Sequence, residues 1–252
     1  MRVSKEQVDF YRSKGYLILP KVFSVSECDE YRQRIIGLLS GKEKLEGFEL
    51  QDKYNRTFQQ HLYDNKCEEW LIDPRLQEPL ETIAGGRVEA MQTMHFIRGS
   101  EHRRHQDQYY LPDCFSAWIP LEDVSQKNGT IFVEPGSHEG NFISKQDIPW
   151  PVGMDREVQQ ESIYFPAVEK LSKENGIRPV LVDINKGDVC LFHGKLIHGG
   201  ITPTQKGSSR HVLACHYIRY DSTAWDRNWP RISFDGSRRV KYRKSDGTVV
   251  TE

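Results

Sequence analysis

The residues able to do chemistry sit in two places. The first is the segment 103–110, which reads Arg103-Arg104-His105-Gln106-Asp107-Gln108-Tyr109-Tyr110. Residues two apart on an extended strand share a face, so His105 and Asp107 can offer an imidazole nitrogen and a carboxylate oxygen to one point in space. In a chain with nine histidines such a pair arises easily by chance, and a surface His–Asp hydrogen bond would use it equally well. The second place is 186–200, where a Gly187-Asp188 turn and an apolar run lead to His198, followed by Gly199-Gly200. This pattern delivers an imidazole at a strand end with little crowding around it. Two histidines and one carboxylate on one face of an octahedral metal leave three positions open, which suits iron in oxygen chemistry.

Arg210 lies twelve residues beyond His198 and opens the strand pattern Arg210-His211-Val212-Leu213-Ala214-Cys215-His216-Tyr217. A guanidinium there can hold a carboxylate through two parallel hydrogen bonds, as the distal end of a dicarboxylate requires. A structural ion pair at a strand end is the other use of such a residue. The order His-x-Asp, distant His, Arg is far more specific than any of its parts. Alternation points His211 away from Arg210, so His211 and His193 read as packing residues or outer partners of ligands. His216 reads as a buried hydrogen-bonding residue and His102 as an exposed one. Arg98, Arg103 and Arg104 flank the first motif and can attract an anionic group.

These groups need a scaffold, and the pattern around them is helices first and strands after. Ser4 with Gln7 and Ser24 with Glu27 are capping boxes that open two helices, with Gly15 and Gly41 as their stops and a strand over 16–20 between them. A further helical pattern over 66–84 is interrupted near Pro74 and ended by Gly85-Gly86. From there, short runs rich in aromatic and β-branched residues follow at 88–97, 115–120, 129–133, 180–184, 188–193 and 210–220. The segment 140–178 carries Pro149, Pro151 and Pro166 and reads as a long loop, a lid or substrate-facing insertion. Residues 53–60 are a second stretch expected to face substrate. The expected organisation is a single domain over 1–252, with a helical part at about 1–86, a β core at about 87–220 and a polar C-terminal extension over 221–252. Within that extension the basic run from Arg238 to Lys244 reads as a solvated tail.

Several segments together carry a resemblance: Met91-Gln92-Thr93-Met94, His105-Gln106-Asp107-Gln108-Tyr109-Tyr110-Leu111-Pro112, Ala117-Trp118, Asn128-Gly129-Thr130, Pro135-Gly136-Ser137-His138 and Leu196-Ile197-His198-Gly199. In this order the chain, from about Gln7 to Tyr220, resembles the phytanoyl-CoA dioxygenase family of Fe(II)- and 2-oxoglutarate-dependent oxygenases. The resemblance implies a mainly β fold with flanking helices, a double-stranded β-helix or cupin-like jelly roll. It implies Fe(II) held by His105, Asp107 and His198, with 2-oxoglutarate and O2 as cosubstrates. Arg210 would meet the 5-carboxylate of 2-oxoglutarate, with Met94, Trp118 and Gln92 along its pocket. Trp118 and Met94 suit core packing as well.

Two departures stand out. Gly200 occupies the place where many relatives carry a serine whose hydroxyl assists the cosubstrate, and Thr202 or Thr204 is the expected replacement. Gln92 stands where the enzyme that gives the family its name has a histidine, so the acyl-CoA substrate is not carried over. An intact Asp107 argues against halogenation, which needs that position vacated for chloride. Hydroxylation of a small molecule, with release of succinate and CO2, is the expected outcome. Desaturation, ring closure and epimerisation begin with the same hydrogen abstraction, and a non-catalytic binding or sensing module is the reading from another class.

Charge narrows the partners. Lys and Arg number 35 against 36 for Asp and Glu, a formal net charge of −1, and no long basic face marks a nucleic-acid or membrane surface. A small, polar or anionic substrate is expected. The five cysteines, Cys28, Cys67, Cys114, Cys190 and Cys215, form no CxxC pair, and no run is apolar enough to span a bilayer. A cytoplasmic setting follows as the expectation.

Overall fold

A computed structural model describes residues 2–51, 55–99, 102–225, 227, 229–243 and 249–251. Both capping boxes form. Ser4 opens α1 (Lys5–Lys14) and Ser24 opens α2 (Val25–Leu39), each accepting from the backbone amide three residues on, while Gln7 and Glu27 return to the cap amides. Each such cap stabilises its helix by about 1 kcal/mol. Gly15 closes α1 in the left-handed conformation, and α2 ends at Leu39 with Ser40 as its cap and Gly41 following in the left-handed conformation. Asp64 caps α3 (Asn65–Leu71), and Pro74 begins α4 (Pro74–Ala84), so the proline splits the pattern into two helices.

Between α1 and α2 lies β1 (Tyr16–Leu19). The strands that follow are β2 (Val88–Phe96), β3 (Cys114–Pro120), β4 (Ile131–Val133), β5 (Val180–Leu181), β6 (Val189–His193), β7 (His198–Gly200), β8 (Val212–Arg219), β9 (Arg231–Ile232) and β10 (Arg238–Arg239). They form a seven-stranded sheet in the order β1-β6-β3-β8-β2-β9-β10 and a three-stranded sheet in the order β5-β4-β7. Paired strands are antiparallel throughout both sheets. This is the double-stranded β-helix, with helices covering one outer face.

Alternation explains why β3 and β8 are buried along nearly their whole length. Leu213, Cys215 and Tyr217 point outward with Ala117 and Ile119, into a core shared with Tyr31, Ile35, Trp70, Leu76 and Leu80 of the helices. Val212 and Ala214 point inward with Trp118, Cys190 and Phe192, toward Ile131 and Val133 of the smaller sheet. Strands buried on both faces lose the polar–apolar alternation of a half-exposed strand.

Two expectations need correction. The segment 140–178 is not all loop. It contains α5 (Arg156–Gln159), a π-helical turn (Gln160–Tyr164) and α6 (Phe165–Asn175). Asp155 caps the first of these, and Pro166 falls in the opening turn of α6, where its missing amide breaks no bond of that helix. The run at Arg238 is not a solvated tail either: Arg238 and Arg239 form β10, and Lys244 lies outside the described residues. The reason is Glu89, fully buried on β2, which pairs with Arg231 at 2.6 Å and Arg239 at 2.7 Å because a buried carboxylate requires cationic partners. Of the stretch 53–60, Lys53 lies outside the described residues, and the amides of Thr57 and Gln59 donate to the carbonyls of His95 and Thr93, which runs the stretch along β2.

All five cysteines are buried and free. Among the described residues, no helix is long and apolar enough to cross a membrane.

Candidate metal centre

His105 and His198 are cross-strand partners. Each donates its amide to the other's carbonyl, at 2.9 and 3.1 Å, an isolated bridge that adds His105 to the edge of the smaller sheet. Directly opposed residues of an antiparallel pair project to one side, so the two imidazoles come together, with ring centroids 4.2 Å apart. Gly199 permits the approach: a Cβ there would stand 2.7 Å from both the His102 carbonyl and the Phe132 ring.

Asp107 arrives differently from the expectation. The chain is extended only through Gln106 (φ −123°, ψ 120°), and Asp107 already begins a 3-10 turn, Asp107–Tyr109. The two-residue periodicity therefore holds for a single step, which is enough to put the carboxylate beside the imidazoles. Its Oδ1 lies 3.4 Å from His105 Nε2 and 3.6 Å from His198 Nε2.

The protonation states suit a cation. Nδ1 of His105 bonds the Arg103 carbonyl at 2.8 Å, and Nδ1 of His198 bonds the Leu196 carbonyl at 2.9 Å. In a neutral ring each bond places the hydrogen on Nδ1 and turns the lone pair to Nε2. Burial, with His105 nearby, pushes His198 down to about 4, so it is neutral near pH 7. Burial alone would raise Asp107, but positive charge at His198 and hydrogen bonds from His105 and His216 pull it well below the usual carboxylate range, the same effect that a cation at this point has. Two lone pairs and a carboxylate oxygen thus converge in a buried site. That arrangement is repulsive unless a cation lies among them, and the donor set fits Fe(II).

The larger sheet supports this centre in ordered rows. On the inner face, Ser116, His216 and Gln92 form one cross-strand row, and Trp118, Ala214 and Met94 form the next. In the first row, Ser116 Oγ donates to Asp107 Oδ2 at 2.9 Å, and His216 Nε2 stands 3.4 Å from the same oxygen. Oδ1 is thereby left for the metal. Beyond the second row, Arg210 is 2 % exposed, donates from Nη1 to the Gly129 carbonyl at 3.0 Å and lies over the Phe96 and Trp118 rings. Burial pushes its guanidinium down to about 10, so it remains a cation at neutral pH. Its Nε is buried without a partner, and among the described residues no carboxylate pairs with it. A buried cation with an unused donor fits an anionic ligand.

A family model described as Phytanoyl-CoA dioxygenase (PhyH) matches residues 11–212. The chain belongs to this family of Fe(II)- and 2-oxoglutarate-dependent oxygenases. It is similar to the peroxisomal phytanoyl-CoA dioxygenase of Bos taurus, 25 % identical over 274 residues that cover 98 % of this chain and 76 % of the relative. Among solved structures, EctD from S. alaskensis with 2-oxoglutarate and 5-hydroxyectoine aligns at a TM-score of 0.67 and 20 % identity, covering 86 % of this chain and 76 % of that one. The non-heme alpha ketoglutarate dependent carbocyclase SnoK from nogalamycin biosynthesis aligns at 0.67 and 21 %, covering 87 % and 85 %. At that identity the structural likeness establishes the fold alone.

The other residues that the family resemblance or the motif flanks suggested have these surroundings. Thr202 is exposed, and the Thr204 hydroxyl donates to the Gln126 carbonyl. Arg103 bonds Glu161 and Glu169, and Arg104 bonds the buried Glu134, so neither is an idle anion trap. His102 is not exposed but stacks on His105, with centroids 4.0 Å apart. His211 turns away from Arg210, as alternation implied, and its Nδ1 meets His95 Nε2 at 3.0 Å. Sequence reasoning missed Ser116 altogether. Its only signal is parity, since it shares the inner face with Trp118.

Proposed function

We propose that His105, Asp107 and His198 bind Fe(II), that Arg210 clamps the 5-carboxylate of 2-oxoglutarate, and that the product is a hydroxylated small molecule, with succinate and CO2 released. The observation that carries this reading is Arg210: a buried cation without a carboxylate, at one end of an inner face whose next rows lead to the three convergent donors. The iron, when bound, supplies the oxygen chemistry that couples decarboxylation of the cosubstrate to oxidation of a C–H bond.

The chain's own residues orient and shield. Ser116 and His216 hold Asp107 Oδ2, which fixes the direction of Oδ1. Trp118 and Met94 flank Ala214 as walls of the cosubstrate pocket, and Gln92 presents an amide in the row that holds Asp107. On the other side of the ligands stands Tyr110, its ring 6.2 Å from His105 and its hydroxyl buried without a partner. We assign it to an oxygen of a polar or anionic substrate. Residues 1–252 act as one catalytic unit in this reading, and the five buried thiols fit a reducing compartment such as the cytoplasm.

The test is anaerobic loading with Fe(II), titration with 2-oxoglutarate, then admission of O2. Cosubstrate-dependent succinate formation, stimulated by the right metabolite, is expected. Iron-loaded protein that binds no 2-oxoglutarate sinks the proposal. Product mass then separates outcomes: a gain of one oxygen is hydroxylation, a loss of two hydrogens desaturation or ring closure, and no change epimerisation.

A further inference from the structure

We infer that Tyr164 is a positioning residue for the metal-binding segment, acting through the main chain of Gln106. This role rests on the proposed reading that His105 and Asp107 hold the metal.

Gln106 is the one residue between those two ligands. The bridge to His198 uses the amide and carbonyl of His105, leaving those of Gln106 to find partners elsewhere in a buried place. Both find the same atom. Tyr164 Oη accepts from the Gln106 amide at 2.9 Å and donates to the Gln106 carbonyl at 3.1 Å, which also accepts the Tyr109 amide at 3.0 Å. A single hydroxyl thereby holds both main-chain groups, the amide by itself and the carbonyl together with the Tyr109 amide, and it fixes the peptide planes on either side of Gln106. Those planes set where the His105 ring and the Asp107 carboxylate point.

The phenol is itself held tightly. Tyr164 is fully buried, and its ring stacks on Tyr109 at 3.7 Å and 15°. It ends the π-helical turn Gln160–Tyr164, a rare form concentrated at functional sites. On an α-helix, residues five apart face directions roughly 140° different. The wider turn instead lets Gln159 and Tyr164 reach the same neighbour, because Gln159 Oε1 accepts from Tyr109 Oη at 3.0 Å while Tyr164 stacks on that ring. The same helix also grips the segment before His105. Arg103 bonds Glu161 of the π turn and Glu169 of α6, and the Arg103 carbonyl receives Nδ1 of His105. The insertion over 140–178 is therefore a clamp on the ligand segment as well as a cover.

The experiment uses the full chain carrying Tyr164→Phe, with Tyr109→Phe as the control. Both changes delete a buried hydroxyl from one stacked pair, but only the first removes the bonds to the main chain of Gln106 between the two ligands; the second removes the Tyr109–Gln159 side-chain bond beyond Asp107. Co(II) binding is measured by chelator competition and by the visible spectrum of the bound ion, beside the thermal melt of the metal-free protein. Tyr164→Phe is expected to weaken Co(II) binding about 10-fold, the lower end of what loss of an outer partner costs, and to shift the spectrum. Tyr109→Phe should keep the wild-type affinity and spectrum. Wild-type affinity and spectrum in Tyr164→Phe overturn the inference, as does an equal loss in Tyr109→Phe, which would mark a general packing effect. A wild-type protein that binds no Co(II) overturns the metal reading beneath it, and the two failures are told apart by that one measurement.

Discussion

The two halves of the site are held by different means. Trp118 and Met94 are placed by strand register, the rows across β3, β8 and β2 following from ladder hydrogen bonds that no side chain makes, and Arg210, two residues before β8, is placed by its amide bond to the Ile97 carbonyl. His105 and Asp107 stand on one isolated bridge followed by a 3-10 turn, and their geometry comes from side chains of Ser116, His216 and Tyr164. A half built by the ladder tolerates loss of a side chain without moving its neighbours. A half built by side-chain contacts passes each loss on to the ligands.

The largest test of this division is Asp107→Ala. Removing the carboxylate should weaken Fe(II) or Co(II) binding by more than about 100-fold, the upper end of what losing a mere outer partner costs, while far-UV circular dichroism stays native. Retained metal affinity would refute the candidate centre. Next comes Arg210→Met. Two charge-assisted hydrogen bonds to a carboxylate contribute about 3 kcal/mol together, so KM for 2-oxoglutarate should rise by about 100-fold. Metal affinity measured without cosubstrate should not change, and a parallel fall would break the separation of the halves.

Ser116→Ala crosses between them. Ser116 is fixed by the ladder, yet its hydroxyl acts on Asp107 Oδ2. Metal affinity should drop about 10-fold with KM for 2-oxoglutarate little altered. If instead the cosubstrate constant moves and metal binding does not, the row holding Asp107 has been assigned to the wrong half.

The same division decides what was legible in the sequence. Capping boxes at Ser4 and Ser24, the break at Pro74 and the strand patterns of β2, β3, β6 and β8 are local signals, and the structure has them within a residue or two. Arg210, Trp118 and Met94 could be placed on one face because alternation is local too. Nothing local announces that Glu89 draws Arg231 and Arg239 into the sheet, or that 156–175 is helical and folds back on Gln106. Asp107 was found by residue type and motif, although the strand expected to carry it turns out to be one extended residue and a turn. Ser116, which bonds it, and Tyr164, which bonds Gln106 beside it, come from elsewhere in the chain, and only the tertiary fold selects them.

The smallest expected effect lies at Tyr110, which follows that turn. Burial, with the charge of Asp107 and then Tyr109, pushes its phenol far above the ordinary range, so it keeps its proton at any working pH and serves as a donor. Yet among the described residues the hydroxyl has no acceptor. A buried, unsatisfied donor costs stability, so Tyr110→Phe should melt slightly higher than wild type. If the donor is kept for a substrate oxygen, the same change should raise KM for substrate about 5-fold, equivalent to about 1 kcal/mol, while succinate release without substrate continues unchanged. A stabilised variant with weakened substrate coupling would place Tyr110 on the substrate side of the ligand loop. A destabilised variant with unaltered substrate KM would make it one more contact that holds the loop, alongside Tyr164.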